Sequence, residues 1–234
     1  MKFLSRISYL ILFLIVLAGF GGYVFYARLP DITAKHLSKK LKVPVEIGDI
    51  SLSLSSIEID NLEIANLPTK KLQKAFSSEM IVIKAPLKNY TEKTILIDQI
   101  TVDHIYLGLE FDSASGTSGN WTILMNNLSN SAKKDENTDT VVIIKELILT
   151  NIQVEVYYDK EGGSVKKFPI VDKIVLTNIN SKAGLPTEQI LRSVLGQMLQ
   201  SVFLQENIKN MLKDSLDSAN PLNSMLSPFK GLFE

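Results

Sequence analysis

The chain has 234 residues, 45% of them apolar, with formal net charge zero and mean hydropathy +0.13. The charge balance argues against a nucleic-acid footprint, which needs a basic excess clustered on one surface. With no cysteine, thiolate chemistry and disulfides lack their residues, and the two histidines, His36 and His104, leave very little for a histidine-based metal site or triad.

Residues Ile7 to Ala27 form 21 uncharged positions between Arg6 and Arg28, about 31 Å as a helix at 1.5 Å per residue. That length spans a bilayer core. A cleaved signal peptide is the alternative, but the apolar run exceeds a usual signal core and lacks an A-x-A-like cleavage site. Residues 1–28 are therefore read as a single-pass anchor. Flanking charge does not settle its orientation. Lys2 and Arg6 precede it and Arg28, Lys35, Lys39, Lys40 and Lys42 follow it, yet long domains translocate regardless of such charge.

Residues 29–43 read as a juxtamembrane helix over Pro30 to Lys42, with Ile32, His36, Leu37 and Leu41 near one stripe. Pro44 favours extended backbone at Val43 and closes it. Lys39, Lys40 and Lys42 are either a solvated helix face or an attraction for anionic headgroups.

From Val45 onward the pattern is that of strands, at 45–52, 54–67, 79–87, 94–111, 141–158 and 168–180. Lys70 to Phe76 reads as a helical turn and Trp121 to Leu128 as one or two turns. Residues 129–140, almost without apolar side chains, read as a flexible linker. Asp159 to Lys167 reads as a hairpin loop around Gly162-Gly163. Residues 44–186 thus form a repeated-strand domain.

An eleven-residue unit recurs within it, at Ile57–Leu67, Ile95–Ile105, Val142–Ile152 and Pro169–Ile179, with a fragment at Val45, Ile47, Ile50 and Leu52. Positions 1, 3, 6, 8 and 11 are aliphatic in 19 of 20 cases, Pro169 being the exception. Self-similarity of this kind implies one supersecondary unit stacked on itself. Within a unit, the pairs Ile57/Ile59 and Leu62/Ile64 show the period of two of a strand with one apolar face. Between the pairs the step lengthens to three, which in a straight strand would reverse the face. A bulge at Asp60-Asn61, Asp98-Gln99, Lys145-Glu146 and Asp172-Lys173 restores it; a tight turn dividing two short strands is the rival.

The other copies supply the corresponding pairs Ile95/Ile97 and Ile100/Val102, Val142/Ile144 and Leu147/Leu149, and Val171 with Ile174/Leu176. These side chains either form a closed core or line an apolar groove that holds acyl chains. After Pro186, Thr187 is a plausible N-cap and Glu188 places acid in the first turn. The apolar rhythm from Ile190 to Leu216 then makes 187–234 a helical segment: a lid on the sheet, a membrane-surface helix or an oligomer contact.

Asp60, Asp98 and Asp172 share repeat position 4, but Lys145 holds it in the third copy, so a structural role is expected. No catalytic, metal or cofactor site is expected, and the chain is read as a non-enzyme. The fold class expected is α+β: a membrane helix, a curved, mostly antiparallel sheet of repeated strands, and the C-terminal amphipathic helical segment.

In order, these features resemble the AsmA-like family, related to TamB and the repeating β-groove lipid-transfer proteins. The resemblance rests on the N-terminal span with its short helix, then Leu41-Lys42-Val43-Pro44-Val45-Glu46-Ile47-Gly48-Asp49-Ile50-Ser51-Leu52, then Ile57–Pro68. Gly119-Asn120-Trp121-Thr122-Ile123-Leu124-Met125-Asn126-Asn127-Leu128 follows, with a low-complexity linker and another β repeat. The family's larger members are far longer, and this chain has no outer-membrane segment. The resemblance implies a bacterial inner-membrane protein with its β domain in the periplasm, acting in phospholipid transport or outer-membrane homeostasis. A scaffold recruiting an envelope protein partner, or another copy of itself, through its sheet edges is the second expectation.

Overall fold

The computed structural model describes residues 26–112, 119–132, 141–158 and 165–180. The expected membrane span, apart from Tyr26 and Ala27, lies outside these residues, as do Gly162-Gly163 and the segment 187–234. Among the described residues no helix is long and apolar enough to cross a membrane.

The described chain is a mixed α+β fold built on one nine-stranded sheet. The strands are β1 (Val45–Glu46), β2 (Asp49–Leu52), β3 (Ser56–Ala65), β4 (Lys74–Lys84), β5 (Thr94–Asp103), β6 (Tyr106–Phe111), β7 (Val141–Tyr158), β8 (Val165–Lys167) and β9 (Val171–Asn180). Two α-helices accompany them, α1 (Leu29–Leu41) and α2 (Asn120–Ala132). Several short strands are halves of one ribbon. β1 and β2 both pair with β3, β5 and β6 both with β4 and β7, and β8 and β9 both with β7. The sheet is thus six ribbons wide.

The first four ribbons form an antiparallel meander. The chain then passes through α2 and returns as β7 parallel to β5 and β6, Ile95 facing Val142 and Leu107 facing Val154. A parallel pair needs such a crossover, so "mostly antiparallel" requires this one exception. Two further expectations need correction. Residues 74–76 belong to β4 rather than to a helical turn, since Phe76 faces both Ile64 and Leu107. Helix α2 runs to Ala132, into the stretch expected to be linker.

The repeat aligns across the sheet. Ile50 faces Ile59, Ile59 faces Ile81, Ile81 faces Val102, Val102 faces Leu149 and Leu149 faces Ile174. Side chains of residues directly opposite one another share a face, so this is one aliphatic row crossing all six ribbons. A parallel row runs Leu52, Ile57, Ile83, Ile100, Leu147, Leu176. Along β7, Val142, Ile144, Leu147, Leu149, Ile152, Val154 and Val156 are all at most 8% exposed, and all join one core cluster. The two aliphatic pairs of the third unit therefore face the same way despite the step of three.

The device that allows this is not the expected bulge. A bulge sets two residues against one, yet Asp60 faces Met80 and Leu62 faces Ser78, a step of two in each strand. Instead the neighbouring ribbons are interrupted on one line. Asn61, His104 and Asn151 have φ of 52°, 50° and 52°, and Glu79 and Asp172 are the residues skipped between paired neighbours. Since each strand takes its extra residue at the same height, register is preserved across the line. Asn is among the few non-glycine residues that tolerate such φ. A second interruption falls at Asp98 and Lys145, again without slippage. The rival tight turn is absent from β3, which stays one strand through Asn61.

Candidate functional site: aliphatic rows and a polar crease

The line through Asn61, His104 and Asn151 divides the apolar face into two halves. On one side, Val45, Ile64, Phe76, Leu107 and Val154 are buried and packed with Trp121, Leu124, Met125 and Leu128 of α2 and Leu41 of α1. The Gly-Asn-Trp sequence locks that roof down. The Asn120 side chain accepts the Glu110 N–H at 3.0 Å and donates to the Gly108 carbonyl at 2.9 Å and to Asn66 Oδ1 at 3.0 Å. Trp121 Nε1 donates to the same Gly108 carbonyl at 2.9 Å. A Cβ at Gly119 would stand 2.3 Å from the Glu110 carbonyl oxygen, so only glycine fits against that strand. The buried Glu110 carboxylate accepts the backbone N–H groups of Lys71 and Leu72. Trp121 anchors the packing of this roof against the core.

On the other side of the line burial falls off laterally. Leu147 and Leu149 of β7 are fully buried, and Ile97, Val102, Val142, Ile144 and Ile174 nearly so. Ile57, Ile59, Ile95, Ile100 and Leu176 are only half-buried. Ile81 and Ile83 share their rows and their partial exposure, and Leu52 at the edge is 45% exposed. Of the candidate groove residues beside the line, Ile64 is buried under the roof, while Leu62 and Val171 are half-buried against the core. The structure thus divides the candidates into core members, a partly open aliphatic block on β2–β5, and the partly buried Val171 and Leu176 on β9. Ile81 and Ile83 were missed because Ser78 stands where the unit wants an aliphatic. Phe76, Ser78, Ile81 and Ile83 carry the same steps of two, three and two. Ser78 is buried and places its hydroxyl 2.8 Å from the Asp103 carbonyl oxygen, which meets its hydrogen-bonding need inside the apolar row.

The opposite, polar face is concave along the interruption. A cavity of about 500 Å³ is lined there by Glu63, Lys74, Glu79, His104, Tyr106 and Asn151, among others. Thr150 Oγ1 donates to Asp103 at 2.5 Å and Asn151 Nδ2 donates to the same oxygen at 2.9 Å. The Thr150 hydrogen bond first, then those of Asn151 and His104, hold the Asp103 carboxyl down at about 2. His104 Nδ1 lies 2.9 Å from Asp103 and 3.5 Å from Glu79. Burial, reinforced by Glu155 at 3.0 Å, raises the Tyr106 phenol well above its usual value. These contacts tie neighbouring strands together where the backbone ladder lapses. Asp60, Asp98 and Asp172 fall on β3, β5 and β9, three ribbons that do not adjoin one another, and Asp98 instead pairs with Lys145 at 2.6 Å. Among the described residues no group of three His, Asp or Glu side chains could hold a metal ion.

Comparison with models of known protein families and with curated proteins finds no match.

Proposed function

We propose that the chain is a non-enzymatic, membrane-anchored protein that binds or handles lipid through the open half of its aliphatic face. The observation that carries this reading is the block formed by Leu52, Ile57, Ile59, Ile81, Ile83 and Ile100. It continues the rows of the core but is only partly buried, and Leu52 at its edge is 45% exposed. Contiguous exposed apolar surface marks an interaction site on a folded protein. An acyl chain laid along it gains about 0.8 kcal/mol for each methylene buried. Ten methylenes would contribute about 8 kcal/mol before the cost of ordering the chain. The N-terminal apolar stretch supports a membrane setting. The AsmA-like order of features supports a bacterial inner membrane, a periplasmic β domain and phospholipid as the ligand.

Native mass spectrometry of the full chain in detergent tests this. The parent and a surface control, Leu54→Ser at a position 87% exposed, should both retain phospholipid, and I59S/I83S should lose most of it. Equal retention by all three, or by none, removes lipid binding on this face and leaves recruitment of a partner through the sheet edges.

A further inference from the structure

We infer that α1 lies against an anionic phospholipid surface, so that the folded domain is held at headgroup level by charge as well as by its tether. Arg28 at the N-cap of α1 and Ile32, Lys35 and Lys39 within it follow one another at steps of four, three and four. Such steps place them on one helix face, and all four are exposed, Ile32 at 48%.

The other face is committed to the domain. Pro30, Ala34 and Leu41 are buried and Leu37 packs on the core. Asn127 Nδ2 donates to the Leu41 carbonyl at 2.9 Å, and the Val45 N–H donates to Ser38 Oγ at 2.8 Å. The helix therefore cannot roll its basic face inward. Asp31 is its single acidic residue, against Lys35, Lys39 and Lys40, with Lys42 following at the C-cap. Cations surrounding an exposed aliphatic side chain suit a headgroup layer, which takes charge at its phosphates and apolar groups just beneath.

A second observation points the same way. The 21 uncharged residues Ile7–Ala27 end two positions before Leu29, and Tyr26, 39% exposed, is the residue type enriched at bilayer interfaces. A chain leaving a bilayer at Ala27 starts α1 within the reach of lipid phosphates. This inference rests on the membrane tether proposed above, but not on the aliphatic block.

The chain has no cysteine, so Ile32→Cys accepts a single environment-sensitive fluorophore, and Leu54→Cys provides a reference on the sheet. The full chain is reconstituted with vesicles of phosphatidylcholine alone or mixed with phosphatidylglycerol. The expected result is a blue shift and shielding from an aqueous quencher at position 32 only with phosphatidylglycerol, and no change at position 54. The shift should be lost in K35Q/K39Q, and also in the unmodified background at 1 M salt, where screening acts over about 3 Å. The absence of a phosphatidylglycerol-dependent shift, or one that survives salt, overturns the inference. Flotation of the chain with both vesicle types but no shift defeats this inference alone, whereas flotation with neither defeats the tether too.

Discussion

The two halves of the apolar face are built from the same repeating unit and meet different fates. Beyond the crease, Ile64, Phe76, Leu107 and Val154 lie sealed under α1 and α2. On the near side, Ile57, Ile59, Ile81 and Ile83 present the same residue types at the same spacing and stay only partly buried. Aliphatic periodicity therefore decides which way side chains point, while the covering helices and the place in the sheet, central β7 against outer β2–β4, decide how deeply they are buried. The sealed half supplies stability, and the open half is where surface remains for a ligand.

The largest test of that contrast is a pair of truncations. Leu107→Ala, in a site with no exposure, should cost about 2–5 kcal/mol, while Ile83→Ala should cost about 1 kcal/mol because water already reaches it. Thermal unfolding of both variants reads the difference. Similar losses would mean that the halves are one closed core.

The crease itself gives an intermediate effect. Asn151→Val places a β-branched residue at φ 52° and should cost about 1–2 kcal/mol, whereas Asn151→Gly keeps the left-handed backbone at little cost. Equal melting temperatures for the two would show that the conformation at this line is not constrained.

The smallest effect concerns pH. Asp103 titrates at about 2 in the fold against a usual value near 3.9. Its stabilising contribution is therefore present above about pH 4 and lost as pH falls towards about 2. The stability advantage of the parent over Asp103→Asn, measured by denaturant unfolding, should shrink across that window. An advantage that does not change would detach the carboxylate from the strand ties to Thr150 and Asn151.

Much of the sheet was legible because an aliphatic at every second or third position can satisfy only a one-sided strand. The helix α1 was legible from its stripe and from Pro44. What could not be read follows from contacts between distant segments. The alignment of Asn61, His104 and Asn151 depends on which strands adjoin, and no local pattern states that. The parallel return of β7 depends on α2, whose polar C-terminal turn over Ser129 to Ala132 reads like linker. Phe76 and Ser78 were hidden by a hydroxyl whose partner, the Asp103 carbonyl, lies 25 positions away in sequence. Exposure was the least legible feature of the candidate site, since Leu147 and Ile100 look alike in sequence and face each other across one ladder.

The steps of two and three have a consequence for how such a sheet can grow. Their alternation is the same whether a strand is followed forwards or backwards. β7 makes use of this, meeting β5 head to head on one flank and β9 head to tail on the other, with aliphatic opposite aliphatic in both. A segment carrying this spacing is indifferent to direction, so new ribbons could be added by either a hairpin or a crossover without reversing the greasy side.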